Sequence, residues 1–283
     1  MKFKTTIFAI LALLFLSSGS AYAQARLMDF NPPPEDTLDY SKIRCIYEQR
    51  VLSDTTKSRK YAKEDMLLQI GAKVSLYFSY ASFRTDSILA DHRKQKNNID
   101  LVEAAQSGQY KRGTDKIQIF KNFPSRKNTI QNNISSDRYI YEEDFVVPEW
   151  KIEKENKMIL GYSCTKATTT FCGRNYIVWF APDIPISEGP WKLTGLPGLI
   201  LEASDDKEEV TFKCTQIENV TWPDPILKTP TSRSTVKTTK EKFYTQLKRY
   251  CDNPSAFRNS RVTTSSTQRV QAKKLYNPIE LSE

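Results

Sequence analysis

The stretch LGYSCTKATTTFCGRNYIVWFA, residues 160–181, decides the fold class. In its first half Leu160, Tyr162 and Cys164 fall on alternate positions, the period of a strand with one buried face. A Thr-rich run leads to Phe171-Cys172-Gly173-Arg174, where the chain turns. The return, Asn175 to Ala181, is apolar on both alternating sets: Tyr176, Val178 and Phe180 against Ile177 and Trp179. Such a strand is expected inside a sheet that is covered on both faces.

The same period extends outward in both directions. Downstream, Leu199–Ala203, the turn Ser204–Lys207 and the alternating Val210, Phe212 and Cys214 predict a second hairpin. Upstream, Ile43, Cys45, Tyr47 and Val51 share one face against Arg44, Glu48 and Arg50. Val74, Leu76, Phe78 and Tyr80 do the same against Ser75 and Ser79, and shorter signals follow at 116–120 and 138–142. Residues 83–108 lose the period and read as a polar helix or loop insertion that carries His92. Near the end, Thr238-x-x-Glu241 matches a capping box, and Phe243, Leu247, Tyr250 and Cys251 lie at helical spacing before Asn253-Pro254. The expectation is a mainly β, α+β protein. One curved, largely antiparallel sheet would carry an amphipathic C-terminal helix and a polar helical insertion.

The ends set the domain plan. Lys2 and Lys4, the apolar run Ile7–Leu16 and Ala21-Tyr22-Ala23 form a signal peptide over 1–23. The run is about ten residues, short of the roughly 20 that span a bilayer. Residues 24–42, with three prolines in a row, read as an extended leader; 43–254 as the β-rich domain; and 255–283 as a basic tail. The net charge of +9 is concentrated late, since Lys228 to Lys274 holds twelve Lys and Arg against Glu241 and Asp252. That surplus suits peripheral contact with an anionic membrane surface or an acidic partner. Nucleic acid is not expected of an exported chain without a reading motif. The expected location is periplasmic or secreted. There the five cysteines are free to pair, though spacing alone does not choose the partners.

Between the two hairpins stands ISEGPWKLTGLPGLI, residues 186–200. With Gly161-Tyr162, Cys164, Lys166-Ala167, Gly173-Arg174 and Trp179 upstream, it resembles the GLPGLI family, whose hexapeptide stands here as Gly195–Ile200. The resemblance implies a bacterial, Bacteroidetes-type cell-envelope protein and assigns no chemistry. Physically, Gly195 and Gly198 permit close backbone approach and Pro197 fixes one dihedral. Trp191, Leu196, Leu199 and Ile200 are too apolar for a loop left in water. The segment either plugs the core or walls a cleft. In the second case Trp179, Trp191, Gly195, Leu196, Pro197 and Gly198 are the candidate ligand-binding residues.

Other chemistries find little support. One histidine leaves a Ser or Cys nucleophile without a ready base. The cysteine spacings match no zinc pattern, so no metal, cofactor or catalytic residue is assigned. The acidic clusters Glu142-Glu143-Asp144 and Asp205-Asp206 with Glu208-Glu209 read as solvated surface. The leading expectation is non-enzymatic binding of an amphiphilic ligand or an envelope protein. Two alternatives stand beside it: an accessory docking through the basic C-terminal region, and an enzyme with a carboxylate- or Tyr-based site in an unrecognised fold.

Overall fold

The computed structural model describes residues 36–54, 60–94, 113–228, 235–255 and 276–281. The signal segment, most of the leader and much of the basic tail lie outside them, and no described helix is long and apolar enough to cross a membrane. The strands in chain order are β1 (Asp36–Tyr40), β2 (Ile43–Asp54), β3 (Lys60–Ile70), β4 (Ser75–Ser79), β5 (Gln118–Lys121), β6 (Lys127–Ile134) and β7 (Asp137–Asp144). They continue with β8 (Lys151–Ile159), β9 (Tyr162–Phe171), β10 (Arg174–Ala181), β11 (Leu199–Asp205), β12 (Val210–Asn219), β13 (Pro225–Lys228) and β14 (Thr235–Lys237). The helices fully within the described residues are α1 (Tyr80–Lys94) and α2 (Lys240–Asp252).

Twelve strands form one open sheet in the order β14-β7-β6-β5-β4-β3-β2-β12-β11-β10-β9-β8. Only the β14–β7 pair in it is parallel. Strands β1 and β13 make a separate antiparallel ribbon. The mainly β, largely antiparallel architecture with two helices is thus the one expected. The polar stretch after Tyr80 begins as α1, and the amphipathic C-terminal stretch is α2.

Alternation splits the sheet into two faces. One carries the main core, in which Cys45, Tyr47, Met66, Leu68, Tyr77, Ile119 and Ile130 continue into Tyr176, Val178 and Phe180. The other carries a smaller cluster of Leu67, Leu76, Phe78 and Phe120, covered by Tyr80 and Phe83 of α1 and by Ile226 of the ribbon. The middle of the sheet is therefore buried on both sides, which is why every residue of β4 is buried. Strand β10 differs from its expectation. Tyr176, Val178 and Phe180 are buried, but Ile177 is 37% exposed and Trp179 only half-buried. Neither α1 nor the ribbon reaches this end of the sheet, so one face of β10 stays near water.

Residues 182–198, between β10 and β11, fold onto the main-core face and tie distant strands together. The Lys121 ammonium, on β5, donates to Glu188 Oε2 at 2.9 Å and to the Gly189 carbonyl at 2.6 Å. Trp150 Nε1 donates to the Thr194 carbonyl at 2.8 Å, and Tyr47 Oη to the Ile200 carbonyl at 2.7 Å. Leu193 and Leu196 are fully buried. Helix α2 closes the β7 end by placing Phe243 against Tyr139 and Tyr141, with ring centroids 5.8 and 5.4 Å apart.

Candidate functional site

Six residues were expected around an apolar cleft, and the structure does not bring them all together. Trp191 lies inside, 2% exposed, with its ring edge-on to Phe171 at 5.9 Å and tilted against Tyr176 at 6.3 Å. Trp179 alternates out of phase with Tyr176 and Val178, and the Lys157 ammonium sits 4.5 Å above its ring. Leu196 and Gly198 are buried, whereas Gly195 and Pro197 face solvent. Each glycine has a steric reason. A Cβ on Gly198 would come within 2.3 Å of the Ala181 carbonyl oxygen. One on Gly195, at φ +98°, would meet Val147 Cγ1 at the same distance.

The described cavity lies on the other face of the sheet. It is a cleft of about 550 Å³ between α1, the ribbon and the surfaces of β3 to β7. Alternation along the strands sends Gln69, Leu76, Phe78, Gln118, Gln131 and Asn133 to this face. Phe83 of α1 and Arg138 of β7 add an aromatic ring and a cation to the lining. At one wall Arg44 is held by Asp224 through Nε–Oδ2 at 2.7 Å and a second, shorter contact to Oδ1. Gln69 Nε2 donates to the same carboxylate at 2.9 Å. The Arg44 guanidinium stacks between Phe83 at 4.6 Å and Trp222 at 5.5 Å, and Trp222 is 46% exposed.

One lining group is left incomplete. Gln131 is 3% exposed and its amide nitrogen has no hydrogen-bond partner among the described residues. A buried N–H without an acceptor costs about 1–3 kcal/mol, so the arrangement calls for an acceptor that the described residues do not supply. The cleft thus offers amides, a fixed guanidinium and flat aromatic rings. That set recognises hydroxyl- and carbonyl-rich ligands, through hydrogen bonds to their oxygens and stacking on their C–H faces.

Beside the cleft runs a second polar chain. Tyr77 Oη donates to Gln49 Oε1 at 3.1 Å, Gln49 Nε2 donates to Asp115 Oδ2 at 2.9 Å, and the Ile117 amide donates to Oδ1 at 3.0 Å. Asp115 belongs to the cleft's lining, but these bonds hold its carboxyl toward Gln49, on the main-core side. Burial pushes this carboxyl above its ordinary value, the two N–H donors oppose the rise, and Glu64 adds to it. Among the described residues no group of three His, Cys, Asp or Glu is close enough to hold a metal ion. His92 falls in the last turn of α1, where side chains are outside the described set.

The acidic clusters keep their reading as solvated surface at Glu142, Asp144, Asp206 and Glu208, which are exposed, and depart from it at Glu143, Asp205 and Glu209. Glu143 pairs with the buried Lys192 at 2.5 Å, while Asp205 and Glu209 pair with Arg174 at 2.6 and 3.0 Å. Asp205 and Arg174 are both nearly inaccessible. These acids are inside because they neutralise cations that the fold has already buried. Cys45, Cys164, Cys172 and Cys214 are free thiols, and all of the cysteines but Cys172 are buried. Sequence reasoning missed the cleft because its walls come from seven separate segments, and most of the side chains that line it are polar and follow no hydrophobic period.

Comparison with known proteins corrects the family expectation. Residues 126–246 match the family model described as N-glycanase peptide, N-terminal domain. That span contains the whole Gly195–Ile200 hexapeptide, so the GLPGLI assignment is replaced. The leading expectation, non-enzymatic binding of an amphiphilic ligand or an envelope protein, is overturned by the same match. No curated protein matches the chain. Among solved structures, PNGF-II in a P21 crystal form aligns at 13% identity and TM-score 0.47 over 73% of this chain and 33% of its own. The C2 form aligns at 13% identity and TM-score 0.45, over 72% and 32%. The chain therefore spans about a third of the length of those structures.

Proposed function

We propose that this protein serves the enzymatic processing of N-linked glycans, and that the polar cleft beneath α1 is where it holds the sugar. The substrate class is suggested by the match to an N-glycanase N-terminal domain. The observation that carries the site is the Gln131 amide, buried in the cleft wall with its nitrogen unpartnered. A saccharide hydroxyl or acetamido carbonyl would complete it. Gln118 and Asn133 present further amide groups beside it, and Phe78 and Phe83 supply the apolar wall on which a pyranose ring can lie. The volume suits one or two sugar rings rather than an extended lipid chain.

The test is titration of a peptide carrying an N-linked oligosaccharide, followed by calorimetry and by ligand-observed NMR. Gln131→Leu should weaken binding about tenfold, the size of one lost hydrogen bond in a desolvated site. It should leave the melting temperature unchanged or raised, because it removes an unsatisfied buried donor. Absence of binding at millimolar glycopeptide, or a Gln131→Leu protein that binds as well as the parent, would overturn the assignment. Mass spectrometry of the same mixtures reads whether glycan is released.

A further inference from the structure

The segment Tyr276–Leu281 carries no helix or strand, yet side-chain and backbone bonds fix it to several elements. Arg174 alone makes three bonds to it: Nε to the Ile279 carbonyl at 2.8 Å, and Nη2 to Asn277 Oδ1 at 2.8 Å and to the Pro278 carbonyl at 2.9 Å. Asn277 Nδ2 donates to the Leu52 carbonyl at 2.9 Å, and the Leu281 amide to the Cys172 carbonyl at 3.1 Å. The Glu280 side chain, 3% exposed, accepts from Lys192 at 2.5 Å and from Tyr244 Oη at 3.2 Å, and pairs with Lys240. Burial alone would raise its carboxyl, but the two lysines outweigh that and hold it below its ordinary value.

The receiving surface has the features of a ligand site. Its groups come from the end of β2, the turn at 172–174, the 182–198 loop and α2. Each of these elements also makes contacts that do not involve the segment. At Gly173 the missing side chain makes room, since a Cβ there would lie 2.9 Å from that of Leu281. The recognition is of the kind used for short peptides, here one that bends at Ile279 and Glu280. A guanidinium fork reads backbone carbonyls, an ammonium pair reads one carboxylate, and Pro278 lowers the entropy lost on docking. Without Glu280, Lys192 and Lys240 would share only Glu143, and Arg174 would lose three acceptors. The empty groove would therefore leave two ammonium groups sharing one carboxylate, beside an Arg174 that Asp205 and Glu209 still neutralise but that lacks three acceptors. It shares no residue with the polar cleft.

We propose that this groove is a peptide-recognition site whose resident ligand is the chain's own Tyr276–Leu281. Once that segment is released, the groove accepts a separate peptide carrying the same Asn-Pro-x-Glu pattern and the same bend at its last two positions. To test it, a protease site is placed within residues 256–275, the folded protein is cut, and the freed fragment is washed out. A labelled Tyr-Asn-Pro-Ile-Glu-Leu peptide is then titrated by fluorescence anisotropy. It should bind, unlabelled peptide should displace it, and Gln in place of the Glu should weaken it at least about tenfold. No binding to cut protein that keeps its circular dichroism and melting transition would overturn the proposal. Should the cut protein unfold, hydrogen exchange on the intact chain decides. Leu281 should open more easily than the amides of β10, and exchange of Leu281 only through global unfolding would show the segment to be part of the core fold.

Discussion

At the scale of single residues, position relative to water outweighs residue type. Trp191 and Trp179 were equal candidates in the sequence, yet one is sealed between Phe171 and Tyr176 while the other lies beneath a lysine on a half-covered strand. Trp191→Ala should cost about 3–5 kcal/mol of stability and Trp179→Ala clearly less, read as the shift in urea midpoint. Asp115 makes a second prediction, with a pH sign. Its carboxyl is raised in the folded protein, so between about pH 4 and the raised value the folded state binds the proton more tightly than the unfolded state. This group's contribution to stability therefore falls as pH rises through that window. Asp115→Asn removes the effect, and a flip of the Gln49 amide keeps its bonds made. The variant should gain on the parent protein as pH increases from 4 to 8. Thermal melts across that range check it, and a variant whose difference from the parent does not change with pH would count against the assignment. The partners of Glu143 and Asp205 were not legible for a related reason. Adjacent acids look alike in sequence, and only the fold shows which of them faces a buried cation.

At the scale of elements, the strands with one apolar face were readable and the polar ones were not. Strand β8, KIEKENKMI, is mostly exposed because it forms the sheet's edge, where charge discourages further pairing. Strand β6 buries Asn128, Thr129 and Gln131, which no hydrophobic period announces. Two of them are satisfied locally, Asn128 by the Asn122 amide and Thr129 by the Phe123 carbonyl; the third is the unpartnered wall of the cleft. Buried polar residues thus marked the candidate site and hid it from the sequence pattern at once. The C-terminal helix shows how fine the remaining ambiguity is. Its sequence offers Thr238 as the cap in a match to a capping box, but Thr239 caps, accepting from the Lys242 amide at 3.4 Å. Thr239→Ala should destabilise by about 1 kcal/mol and Thr238→Ala by much less, measured by chemical denaturation.

At the scale of the whole molecule, sheet order and sequence order disagree in an informative way. The span that matches the N-glycanase family model, residues 126–246, supplies β6 to β14. Of these, β14, β7 and β6 occupy one end of the sheet, and β12 to β8 occupy the other. Between them stand β5, β4, β3 and β2, all drawn from residues 43–121. Among the described residues the two ends are tied by contacts such as Lys192–Glu143 and Trp150–Thr194. A fragment confined to 126–246 would expose the unpaired edges of β6 and β12 and lose Lys121, Tyr47 and the central core layer. Open edges of that kind pair with other chains rather than remain single. The fragment alone should therefore aggregate or stay unfolded. Co-expression with residues 36–125 should restore a soluble complex with the β signature and cooperative melting of the full chain. Size-exclusion chromatography and circular dichroism distinguish the outcomes. A monomeric, cooperatively melting 126–246 fragment would mean that the two ends of the sheet do not depend on the strands between them.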